Sequence, residues 1–190
     1  MKFKMIKYIK VKSTNDEAIK LIKKNKIEPT LISAQKQIKG RGTMGKKWIS
    51  QKGNLFVSIY FRVDNLKIKF NQFTALNPYI IKNILSKYLT HKISIKLPND
   101  LMIKKNKISG ILQELIEFKN KKFLIIGIGI NTIISPINKS FKSTSINKFS
   151  VKKIKNDIIL LQIKKEYEKL LSDINRYNFF NLKRKILKVK

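Results

Sequence analysis

Lysines, amides and glycines must carry any chemistry in this chain, because the usual nucleophiles and bases are missing. It has no cysteine and a single histidine, His91. That excludes disulfides, thiolate metal sites, a zinc cluster and a histidine-based triad. Three clusters remain. In Gly40-Arg41-Gly42-Thr43-Met44-Gly45-Lys46-Lys47, glycines let backbone N–H groups approach an anion, and the cations add charge. The stretch comes close to a phosphate-binding P-loop. Yet Lys47 stands where that motif needs Ser or Thr, and Trp48-Ile49-Ser50 leads into a strand and not a helix. Taken alone, it reads as a basic surface loop. The second cluster is Lys96-Leu97-Pro98-Asn99-Asp100-Leu101, followed by Lys107-Ile108-Ser109-Gly110. Pro98 interrupts a strand, so Asn99 and Asp100 project at a sheet corner within reach of Lys107, and Gly110 leaves one strand position bare. A hairpin with lysines facing solvent is the plain alternative. The third, Gly127-Ile128-Gly129-Ile130-Asn131, lacks the third glycine and the following helix of a dinucleotide fingerprint. Two such glycines more often mean close strand packing or a bulge.

These clusters need a frame, and the hydrophobic periodicity supplies one. Ser13-Thr14-Asn15-Asp16-Glu17 reads as an N-cap and acidic first turn, before Ala18, Ile19 and Ile22 at helical spacing. Residues 30–35 and 54–61 are β-branched and aromatic enough for strands, as are 93–97, 101–104, 107–118 and 122–130. Asn106 suits a tight turn between two of them. Residues 70–89 predict a helix interrupted or started near Pro78, and 154–171 a further helix. Residues 135–150 predict a polar loop. There is no internal repeat and no linker. The expected class is α+β, one domain over residues 1–190, with a mixed β-sheet flanked by helices.

Order and spacing then add meaning. Ser13-Thr14-Asn15, then Gln37 with Gly40-Arg41-Gly42, Gly45 and Trp48, then Lys96-Leu97-Pro98-Asn99-Asp100-Leu101, then Lys107 with Ser109-Gly110-Ile111-Leu112 and Glu114, then Gly127 to Asn131 together resemble the biotin protein ligase family. Each piece is weak alone; five in order are specific. The resemblance runs from Ser13 to Asn131, about two-thirds of the chain. It implies a curved mixed sheet carrying biotin on one face with ATP beside it. The implied reaction makes biotinyl-5′-adenylate and pyrophosphate, then passes biotin to a lysine ε-amine on the biotin carboxyl carrier domain of acetyl-CoA carboxylase. A carboxylate attacking a phosphate brings negative charges together, so positioning and cations suffice as catalysts.

By the same resemblance, Ser13, Thr14, Asn15 and Gln37 line the biotin head pocket, where hydroxyls and amides match a ureido group. Gly40, Arg41, Gly42 and Thr43 form a loop closing over biotin and the adenylate, with Gly110 beneath. Lys107 bridges the biotin carboxylate and the α-phosphate, and with Arg41 is the expected catalytic pair. Lys46, Lys96, Asn99 and Asp100 hold phosphates, with Asp100 the expected ligand of Mg2+. Asn131 lies near the nucleotide, and the loop after it covers adenine. Three departures stand out. Thr43 and Lys46 occupy positions where relatives often have Arg, and Leu97 one where they often have Trp. Losing a fixed guanidinium at Thr43 predicts a leakier adenylate.

A net charge of +32 raises nucleic-acid binding as a rival reading. Only four of the 43 basic residues are Arg (Arg41, Arg62, Arg176 and Arg184), and the lysines are spread over the whole chain. That pattern fits compositional bias, so no specific DNA binding is expected. Phe56, Tyr60 and Phe61 are committed to strands and not to base stacking. A lipoate or octanoate ligase shares the expected fold, but its His-Asp signature is missing here. Too few residues precede Ser13 for a helix-turn-helix domain, and the sequence ends too soon after the last helix for a complete C-terminal β-barrel. With no apolar run long enough to span a membrane and no signal peptide, a cytoplasmic protein is expected. Pairing through sheet edges into a homodimer is left open.

Overall fold

The computed structural model describes residues 2–137 and 141–187. Seven strands form one sheet: β1 (Lys4–Val11), β2 (Thr30–Gln37), β3 (Leu55–Arg62), β4 (Ser94–Lys96), β5 (Asp100–Ile103), β6 (Asn106–Phe118) and β7 (Lys121–Ile130). Their order across the sheet is β1-β2-β3-β7-β6-β5-β4. Only β1 and β2 run parallel; every other neighbouring pair is antiparallel. Helices α1 (Thr14–Lys23), α2 (Phe70–Ser86), α3 (Asn156–Asp173) and α4 (Phe179–Leu187) flank it. The expected mixed sheet with flanking helices is what forms.

Strand alternation sorts the side chains into two layers. Leu55, Val57, Ile59 and Phe61 of β3 and Leu124, Ile126, Ile128 and Ile130 of β7 share the main core with residues of α2, α3 and α4. The intervening residues face α1, where Ala18, Ile22, Ile32, Tyr60, Phe123 and Ile125 make a smaller core. A slip of one residue would drive Ser58, Gly127 and Gly129 into the main core, so burial pins the register.

The structure adds two elements to the sequence reading and corrects two others. The N-terminal Lys-apolar alternation is strand β1, parallel to β2 and at the open edge of the sheet. Pro78 does not interrupt α2; it sits inside the helix, where Thr74 loses its usual N–H partner. Buried Asn77 beside it is held by Tyr167 Oη donating to Asn77 Oδ1 (2.9 Å) and Asn77 Nδ2 donating to Gln113 Oε1 (2.7 Å). The β5–β6 turn is made by Lys104 and Lys105, both at positive φ, and Asn106 is the first residue of β6. The tail beyond α3 forms α4, which Leu182 anchors in the main core.

Candidate active site

The α1-facing side of the sheet has a hole in it. In the antiparallel register Gly129 lies opposite Phe56 on one side and Gly110 on the other, and Gly127 lies between Ser58 and Leu112. Residues directly opposite share a face, so three glycines and a serine form one bare floor. Two side chains use it. The Trp48 indole lies on Gly110 and Gly129, and the Asn15 amide lies on Gly127; a Cβ at any of the three would collide with its neighbour. Above this floor is an open cleft whose space, solvent at its mouth included, is about 630 Å³.

One end of the cleft is lined by uncharged polar side chains linked by hydrogen bonds. The first turn of α1 brings in Thr14, whose backbone N–H and hydroxyl both donate to Gln37 Oε1 (2.7 and 3.0 Å) at the end of β2. Gln37 Nε2 donates to Ser50 Oγ (2.9 Å), which donates to the Trp48 carbonyl (3.1 Å). Ser58 Oγ lies 2.5 Å from Asn15 Oδ1 and 2.7 Å from Thr14 Oγ1, and its one proton serves one of them. Ser13 takes the N-cap position in extended geometry, but its side chain makes no capping hydrogen bond. Urea-like or amide groups find donors and acceptors here at no electrostatic cost.

The other end is cationic. Lys107 Nζ is 2.7 Å from Asp100 Oδ1, with side chains only 14% and 19% exposed. It also lies 5.3 Å from the Trp48 ring and 4.9 Å from the Phe141 ring. The backbone holds the corner: Lys107 N–H donates to the Lys142 carbonyl, Thr144 N–H to the Lys107 carbonyl, and Asn99 Nδ2 to the Ile111 carbonyl. Thr43, in the short 3-10 turn Thr43–Gly45, approaches Asn99 at 3.5 Å. Arg41 spans the remaining side. Its Nη1 and Nη2 donate to the two oxygens of Glu114 (2.7 and 2.8 Å), and its Nε is 2.9 Å from Asp16 Oδ1. Burial acts to lower the Arg41 pKa, but hydrogen bonds and charge from Glu114 and then Asp16 outweigh it and raise the value.

Ser13, Thr14, Asn15, Gln37, Arg41, Gly42, Thr43, Lys46, Asn99, Lys107 and Gly110 all line this cleft. Gly40 packs under the loop against Gln37, Trp48 and Ser50, and Asp100 stands behind Lys107. Lys96 is not brought in: it is exposed on β4, the edge strand farthest from β1. Asn131 lines an adjoining hollow of about 250 Å³ with Trp48, Pro136 and Phe141. Buried Asn131 Oδ1 and Trp48 Nε1 have no hydrogen-bond partner among the described residues. Five contributors were not among the expected site residues: Trp48, Ser50, Ser58, Phe141 and Glu114. Trp48 and Glu114 had a signal, since both stand in the motif series, and Glu114 lies two strand repeats beyond Gly110 on the same face. Among the described residues no group of three or more His, Cys, Asp or Glu could hold a metal, and no helix is long and apolar enough to cross a membrane.

Residues 7–131 match the model of the biotin/lipoate A/B protein ligase family. A bifunctional ligase/repressor BirA of Bacillus spizizenii is 32% identical over 181 residues, which cover 91% of this chain and 55% of the relative. A biotin–[acetyl-CoA-carboxylase] ligase of Paracoccus denitrificans is 27% identical over 132 residues, 65% of this chain and 52% of its own length. This chain therefore spans about half the length of these curated relatives. Among solved structures, the biotin protein ligase of Aquifex aeolicus in complex with biotin and ATP superposes with a TM-score of 0.77 at 28% identity, covering 96% of this chain and 76% of that one.

Proposed function

The chain belongs to the biotin/lipoate A/B protein ligase family, and from that premise we propose that it activates biotin with ATP and transfers it to a lysine of a carboxyl carrier domain. The observation that carries this reading is convergence. Five segments, spread from Ser13 to Gly129, meet around one cleft with an uncharged hydrogen-bonding end and a lysine at the other. Biotin has that polarity: a neutral ureido head, an apolar chain and a carboxylate. Thr14 and Gln37 read the head, Phe56 and Trp48 enclose the chain, and Lys107 receives the carboxylate.

The first step forms a bond from a biotin carboxylate oxygen to the α-phosphorus of ATP and breaks the bond to pyrophosphate. Three negatively charged groups meet, and the Lys107 ammonium, poorly hydrated beside Trp48 and Phe141, offsets that repulsion. Asp100, 2.7 Å away, keeps the ammonium aimed. Lys46 and Asn99 lie where polyphosphate oxygens can meet them. The hollow with unpartnered Asn131 Oδ1 and Trp48 Nε1 offers an acceptor and a donor to a purine edge. Nucleotide-borne Mg2+ would meet only Asp100 from the protein, in keeping with an ion held mainly by phosphates and water. In the second step the acceptor lysine, arriving as a free amine, attacks the acyl carbon; an amide forms and AMP leaves.

The test is transfer of labelled biotin to a carboxyl carrier domain, with and without ATP, with lipoate as competitor. ATP-dependent labelling that Lys107→Ala abolishes and lipoate leaves untouched supports the reading. Folded wild-type protein that makes neither labelled carrier nor biotinyl-adenylate refutes it.

A further inference from the structure

We propose that Glu114, seconded by Asp16, is a positioning residue that pins the Gly-rich loop through Arg41, so that Arg41 is a strut of the site and not its phosphate clamp. The consequence for catalysis rests on the ligase reading above; the pinning itself does not.

The charge balance points this way first. Arg41 presents one positive charge to two carboxylates, with both terminal nitrogens on Glu114 and Nε beside Asp16. Two of its five N–H donors are thereby taken by hydrogen bonds and the Nε edge faces Asp16, and the cluster is net negative. Such a group offers an incoming phosphate little attraction, whereas Lys107 is balanced by Asp100 alone. The bidentate fork instead fixes direction, which is what a strut requires.

Connectivity points the same way. Glu114 Oε2 accepts a second hydrogen bond, from Asn15 Nδ2 at 2.6 Å. The carboxylate thus ties the loop to β6 and to the start of α1. From Asn15 the contacts pass to Ser58, Thr14, Gln37 and Ser50, and end at the Trp48 carbonyl. The circuit leaves the loop at Arg41 and re-enters it at Ser50 and Trp48. The loop and the polar end of the cleft are therefore one hydrogen-bonded unit, and Glu114 is the carboxylate that joins its two halves. A molecule seated on Thr14 and Gln37 touches the same circuit that holds the loop shut.

Trp48 is the only tryptophan and lies in this loop, so its fluorescence reports the strut directly. Acrylamide quenching would be measured on the full chain without ligand, for wild type, Glu114→Gln, Glu114→Asp and Arg41→Lys. The expected result is a quenching constant raised about threefold or more in Glu114→Gln and Arg41→Lys, with partial recovery in Glu114→Asp, as a loosened loop exposes its indole. In parallel, both variants should release bound biotin about tenfold faster, the worth of one charged hydrogen-bond pair, while the KM for ATP moves less than about threefold. Should Glu114→Gln not fold, Asp16→Asn and Arg41→Lys supply the same readouts. Unchanged quenching in folded variants overturns the proposal. So does the opposite kinetic split, in which Arg41→Lys is spared and Arg41→Ala raises the KM for ATP. A wild type that binds no biotin would sink the ligase reading and leave the quenching result to decide the strut.

Discussion

Lys107 stands 2.7 Å from Asp100 and between two aromatic rings, so its direction is set before any substrate arrives. Replacing it with Ala removes the cation on which carboxylate and phosphate converge. The rate of biotinyl-adenylate formation should fall by about 10²–10³, as when one preorganised donor is removed, and the check is pyrophosphate release in single turnover. Asp100→Asn should cost less, because the ammonium remains. At Thr43 the sign reverses. This residue makes one long contact, to Asn99, and Thr43→Arg would add a guanidinium at the mouth of the cleft. Release of biotinyl-adenylate should slow by about tenfold, the worth of one added charge-assisted hydrogen bond; an unchanged release rate removes Thr43 as a cause of leakage. Most of these residues could be picked out in the sequence because their types are unusual at their spacings. Lys96 illustrates the limit: it shares a motif with Asn99 and Asp100, yet it ends the exposed edge strand β4 on the far side of Pro98 from them. Ser50, Ser58 and Phe141 were silent because isolated serines and aromatics gain meaning only from what the fold sets beside them.

At the scale of elements, the site is a gap in the side-chain layer over β7 and β6. Gly129→Ala tests that, since the new methyl would overlap the Trp48 indole. Either the ring leaves its seat or the strand shifts, and overpacking of this kind costs about 1–3 kcal/mol. Urea unfolding should show that loss, while Trp48 becomes more accessible to quencher. A second element-level link joins the start of β1 to α3: Glu168 Oε1 accepts the Phe3 N–H at 2.8 Å and pairs with Lys164. Burial acts to raise the Glu168 pKa, but these hydrogen bonds and the Lys164 charge prevail and lower it. A carboxylate whose folded value is depressed stabilises the fold fully above its unfolded value of about 4.3, and loses that contribution as pH falls through the folded value. Glu168→Gln should therefore be less stable than wild type near neutrality by under about 1 kcal/mol, since the pair is partly exposed, and the gap should close below pH 4. Thermal midpoints across pH 3–7 measure it. Strands β2 to β7 were legible because period-two apolar runs are strong signals. Strand β1 was not, because its exposed edge interleaves lysines with apolar residues and blurs one face. The Lys104-Lys105 turn was hidden too, since lysine carries no preference for positive φ.

At the scale of the whole molecule, charge is the feature with the widest reach. Of eleven acidic residues, nine are already in ion pairs with a lysine or arginine, so the net charge of +32 is spread over a surface with little left to offset it. Two forces then respond to salt in opposite directions. Screening weakens the ion pairs, most of which are partly exposed and worth under about 1 kcal/mol each. It also weakens repulsion among the remaining lysines, which is long-ranged and acts over many more pairs. Repulsion should dominate. Raising NaCl from 50 to 500 mM shortens the screening length from above to well below about 10 Å, and the thermal midpoint should climb by several degrees, about 2–4 °C for each kcal/mol of repulsion relieved. Over the same range, affinity for duplex DNA should collapse without regard to base sequence, because released counterions alone drive it. A midpoint that falls with salt would mean that the ion pairs, Arg41 with Glu114 and Asp16 among them, hold the fold more strongly than the lysines push it apart. DNA binding that persists at 500 mM and discriminates between sequences would turn the basic surface from a by-product of composition into a second binding face.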